Sequence, residues 1–133
     1  MNRLVAGSPQ ILHKDKWLER IRATVSDTGN AMDKNDVADL SAQIDIKGLR
    51  AYRLAVGRRT REIVKQLQPE QLKQKVEPVR LQQLLDEGAV VEEARGIVDY
   101  WSRRNIAGLL LMPATRHNLI HLNEAYRLKH RRR

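Results

Sequence analysis

The chain predicts an all-α fold, and three observations carry that prediction. Leu, Ala, Arg, Gln and Glu dominate it, most of them residues that lose little side-chain freedom in a helix. Apolar positions recur every three or four residues over 45–68 and again over 114–129. No stretch alternates apolar and polar residues with the β-branched content of a strand. The 133 residues fit a single domain spanning 1–133, of which 127–133 form a basic tail. That length suffices for a core without disulfide or metal staples, with a modest margin.

Taken in order, residues 1–6 read as the last turn of a helix, ended by Gly7, Ser8 and Pro9. Residues 10–33 are loop-like around a short helix near 15–21, where Asp15 caps and Trp17, Leu18 and Ile21 face inward. Residues 26–30, with Gly29, carry turn chemistry. Asn35 caps a short helix through Gln43, with Val37, Leu40 and Ile44 at helical spacing. Asp45 opens the clearest helix, which runs to about Gln68 before Pro69. Its inward stripe is Leu49, Tyr52, Val56, Thr60, Ile63 and Leu67, and Arg50, Arg53, Arg58, Arg61 and Lys65 form its wet face.

Pro69 starts a helical piece over 70–75, and Pro78 opens another through Leu84 and Leu85, stopped by Gly88. Residues 90–93 lead into a helix to about Met112, with Ile97, Trp101, Ala107 and Leu111 available for burial. Tyr100 and Trp101 read as core or core-edge anchors. Pro113 either kinks this helix or separates it from the next. The final helix spans 114–129, with Leu119, Leu122, Ala125 and Tyr126 as its apolar stripe.

A net charge of +9 raises the question of an anionic partner. Much of the excess lies in Arg58, Arg59 and Arg61 and in the tail, while acidic residues are interspersed through the rest. Phe is absent and aromatics are few, so platforms for stacking bases are scarce. These features argue against nucleic acid as the main partner. Without Cys there is no disulfide, no thiolate nucleophile and no Cys-based zinc site. No apolar run approaches the roughly 20 residues that span a bilayer, and no signal-peptide core is visible. The expectation is a soluble cytoplasmic protein with no membrane partner. Walker, GxGxxG and GxSxG motifs are missing.

The chemistry-bearing feature is His117 and His121, two of only four histidines, one turn apart in the last helix. Such a pair can share a metal ion, but HxxxH without the Glu of HExxH is not a metalloprotease motif. On spacing alone, two histidines filling a flank of the core is the preferred reading. Glu124 shares their flank, which borders the apolar stripe. It either orients His121 or stands solvated, and the solvated reading is preferred.

The run Leu-Leu-Met-Pro-Ala-Thr-Arg-His-Asn-Leu-Ile-His-Leu-Asn-Glu-Ala, residues 110–125, resembles the last core helix of the DinB-like (DinB/YfiT-like) metalloenzyme superfamily. Residues 45–68 are similar to the second or third core helix of such bundles. The resemblance implies a four-helix bundle, often dimeric. It implies a divalent metal, zinc or nickel here, held by three His, one from an early helix and an HxxxH pair from the last. It also implies kinship with thiol-dependent S-transferases and hydrolases that use a small thiol cosubstrate. His117 and His121 match the pair. The third His has no match, because His13 follows Pro9 and His130 sits in the tail. The resemblance therefore implies a member lacking its first core helix, inactive through loss of the third ligand, weak in metal binding and prone to self-association. Two other readings stand beside it. One is a non-catalytic interaction protein using an uncovered apolar face. The other is a small basic nucleic-acid-binding protein using Arg58, Arg59, Arg61 and the tail.

Overall fold

Asp45 sets the longest element in place. In the computed structural model, which describes residues 1–131, its carboxylate accepts from the Gly48 N–H and starts a 21-residue helix. The described residues form eight α-helices: α1 (Asn2–Ala6), α2 (Trp17–Ile21), α3 (Lys34–Gln43), α4 (Ile46–Gln66), α5 (Pro78–Asp86), α6 (Gly96–Ser102), α7 (Ile106–Leu111) and α8 (His117–Arg131). The only extended pairing among them is an isolated bridge between Lys75 and Asn105. The all-α expectation holds. The longest helix, α4, is packed by α1 and α2, with α5 packed against α1.

The inward stripe of α4 lies on its packed side as its periodicity requires. Ile63 is buried, the other five positions are partly buried, and all five wet-face cations are exposed. α2 crosses the start of α4 so closely that a Cβ on Gly48 would collide with the Arg20 carbonyl oxygen. The Asp45 N–H donates to the Ile21 carbonyl at 2.9 Å and locks this crossing. Trp17 and Ile21 are buried there, with the Trp17 ring tilted against Tyr52 at 5.4 Å between centroids. Burial pushes the Tyr52 hydroxyl above its ordinary pKa. Asp15 does not cap α2. Asp15 and Lys16 form a left-handed turn ahead of it, with φ of 51° and 55°, and no side chain caps the helix.

α1 is a packed helix in its own right. Leu4 and Val5 are buried against α4 and α5, and Gly7 at φ 63° closes it. From α5, the Arg80 guanidinium donates to the Val5 carbonyl at 2.6 Å, and Arg3 pairs with Glu87 after that helix. The α-amine of Met1 is buried, which holds it below its ordinary pKa. The core that joins these pieces comprises Leu4, Val5, Ile63, Val76, Leu84, Ala89, Ile106 and Leu109.

Two boundaries differ from expectation. α3 is capped by Asp33, which accepts from the N–H groups of Asn35 and Asp36 at 2.7 and 2.9 Å, while Asp36 accepts from the Asp33 N–H. Asn35 is already inside the helix, and α3 buries none of its residues. The single helix expected between residues 90–93 and Met112 is two helices, α6 and α7. Asn105 caps α7 by accepting from the Gly108 N–H at 2.9 Å, and the Ile106 N–H donates to the Gln74 carbonyl at 2.9 Å. That break shifts the helical phase. Val98, Ile106 and Leu109 are the buried positions, and Leu111 is half exposed.

α7 runs into α8 through a π-helical turn, Met112–Arg116. Pro113 offers no N–H to an i→i−4 bond, which is the ordinary cause of such a turn. The Thr115 hydroxyl donates to the Leu111 carbonyl at 2.6 Å within this turn. α8 contributes no buried residue, and it packs mainly on the turn before it.

Candidate metal centre

His117 and His121 occupy the first and second turns of α8, and both are exposed. Their rings meet edge to face with centroids 4.4 Å apart, and their Nε2 atoms stand 2.8 Å from each other. The opposite nitrogen of His121 is engaged by Glu124, where Nδ1–H donates to Oε2 at 3.0 Å. A carboxylate can only accept, so it keeps the proton on Nδ1. With that proton on Nδ1, Nε2 of His121 accepts, and Nε2–H of His117 donates to it across the 2.8 Å. Glu124 thus orients His121 and is not merely solvated. The contact itself adds little stability, since both side chains are 60% exposed.

The placement of the pair differs from the sequence expectation. Leu119, Leu122 and Tyr126 are 61%, 64% and 64% exposed, so the apolar stripe of α8 covers no core. At about 100° per residue, His117, His121 and Glu124 stand roughly opposite that stripe, not on a flank beside it. The pair lines no bundle interior. It is presented outward from a helix that carries no buried side chain.

At this distance the two Nε2 atoms are hydrogen-bonded to each other, and a divalent ion such as zinc or nickel would take two positions there only by replacing the proton between them. Among the described residues, no group of three or more His, Asp or Glu converges to hold a metal. Glu124 does not supply a third ligand, because it faces the far nitrogen of His121. His13 lies in a short 3-10 turn, Ile11–His13, and His130 stacks on Tyr126 at 4.2 Å. Neither joins the pair. No family model matches the chain, and no curated protein or solved structure resembles it significantly.

The remaining polar features lie elsewhere. A cleft of about 410 Å³ between the loop after α2 and α3 is lined by Asp27, Asp36, Asp39, Met32, Leu40 and Val91. A second, of about 400 Å³, lies between α1 and α4, with Lys14, Arg58 and Arg59 beside Ser8 and Glu62. Sequence reasoning found the arginines but not the cleft, because Lys14 and Ser8 reach them only through the fold. Arg58, Arg59 and Arg61 sit on α4 and the tail cations Arg127, Lys129 and Arg131 on α8. Arg132 and Arg133 of the tail lie outside the described residues. No helix among those residues is long and apolar enough to cross a membrane.

Proposed function

We propose that this chain is a divalent-metal-binding all-α protein of the DinB-like kind, with His117 and His121 as its ligands and zinc or nickel as its metal. One observation carries the reading: the two Nε2 atoms converge at 2.8 Å while Glu124 holds the far nitrogen of His121. The chain's own work is to hold the two Nε2 atoms side by side on one helix face, with His121 oriented by Glu124, and to leave the remaining positions of the ion open. A metal so held would supply Lewis-acid activation of a water or a small thiol, the chemistry of the thiol-dependent transferases and hydrolases that residues 110–125 resemble. Two ligands give weaker retention than three, so binding rather than turnover is the activity assigned to the chain alone.

Isothermal titration with zinc and with nickel tests this. Wild-type protein should take up metal, and His117→Ala and His121→Ala should each abolish uptake without changing the helical circular dichroism. Uptake that survives both substitutions would place the metal elsewhere.

The exposed stripe of Leu119, Leu122 and Tyr126 supports a second reading, a non-catalytic protein that docks through α8. Under it, substitution of the stripe impairs association and the histidines are dispensable.

A further inference from the structure

We infer that His117 and His121 are one half of a metal site that a second copy of this chain completes, with four imidazole nitrogens from two α8 helices around one ion. The inference rests on the two histidines being ligands, as proposed above, and adds the partner and the stoichiometry; a site closed in this way is structural, without the open position that activation of water or a thiol needs.

The ligand count motivates it. A zinc site that is closed takes four protein ligands, and this copy brings two Nε2 atoms within 2.8 Å of each other on one exposed face. Among the described residues nothing of the same copy joins them, and the nearest carboxylate, Glu124, is committed to Nδ1. Further protein ligands would have to come from outside this copy, and they would have to reach an exposed helix face. A second α8 meets both conditions. A two-fold axis through the ion supplies the same pair again and closes the assembly at two copies.

Access and surroundings agree with this. α8 contributes no buried residue, so the body of the protein does not cover the face that a partner helix would approach. Ile120 and Leu128 share the histidine face at helical spacing and are 50% and 64% exposed. In a paired arrangement they would border the ion with apolar surface and shield it from water. Charge sets the direction of the crossing. Arg127, Lys129 and Arg131 crowd the end of α8, so parallel helices would bring two basic ends together. Helices that cross or run antiparallel keep those ends apart while still meeting at the second turn.

Sedimentation velocity on the full chain, titrated with zinc chloride and paired with calorimetric counting of bound ions, tests the inference. The expected result is a zinc-driven shift from monomer to dimer that is complete at about half an ion per chain. EDTA should reverse it, and both His117→Ala and His121→Ala should eliminate it. Both residues are exposed, so neither substitution threatens the fold. A monomer that retains one zinc overturns the second-copy site but leaves the two-histidine reading intact. No zinc uptake overturns both. A dimer holding one ion per chain, an assembly whose mass zinc does not change, or an assembly that persists in both variants also overturns the second-copy site.

Discussion

Leu109 and Leu122 are the same residue on two helices separated by one π-helical turn, and their surroundings could hardly differ more. Leu109 on α7 is 1% exposed and sits in the core with Leu4, Ile63 and Leu84. Leu122 on α8 is 64% exposed. Both belong to helices with apolar residues at helical spacing. An amphipathic pattern therefore reports what a helix is able to bury, and the neighbours decide whether it does. In the body, every helix that buries side chains does so against another element. Of the two long helices, α4 has α1 and α2 across its stripe and α8 has no such cover. The region with the packed core has no candidate ligand cluster, and the region with the ligand pair has no core.

Substitution of these two leucines tests the comparison with the largest expected effect. Leu109→Ala should cost about 2–5 kcal/mol, since it opens a cavity in a filled core. Leu122→Ala should change stability by no more than about 0.5 kcal/mol, as exposed positions do. Urea unfolding of the two variants reads the contrast. Equal losses would mean that α8 is covered in solution, and would end the distinction between the two regions.

A smaller effect sharpens the account of the body. The α-amine of Met1 is buried at the start of α1, and its pKa lies below the ordinary 8.0. Between that lowered value and 8.0 the unfolded chain binds more protons than the folded one, so stability should rise with pH through this window and level off above it. Urea midpoints measured from neutrality to above pH 8 would show the slope. A flat or falling profile would contradict the burial of the amine.

Legibility in the sequence followed how local each cause is. α4 was readable because its cap, Asp45, and its whole stripe lie within one continuous segment. The break between α6 and α7 was not, since it depends on the Ile106 N–H finding the Gln74 carbonyl across the fold. The cap of α3 was misplaced by two residues. Asp33 and Asn35 are both good capping residues, and the deciding partner is Asp36, a shorter side chain than the Glu or Gln of the usual box. At the candidate site the spacing of His117 and His121 gave their convergence directly. Their placement opposite the apolar stripe follows from about 100° per residue, and what the sequence did not reveal is that Leu119, Leu122 and Tyr126 would go uncovered. Glu124 could have been paired with His121 from its i+3 spacing alone.

The central claim is that metal chemistry in this chain belongs to the oriented pair on α8 and to no other histidine. Imidazole nitrogen NMR during a zinc titration tests it most directly, because the chain has only four His to follow. The account predicts that the Nε2 signals of His117 and His121 shift together, that Nδ1 of His121 keeps its proton toward Glu124, and that His13 and His130 stay in place. Equal perturbation of all four histidines, or none at His117 and His121, would contradict it.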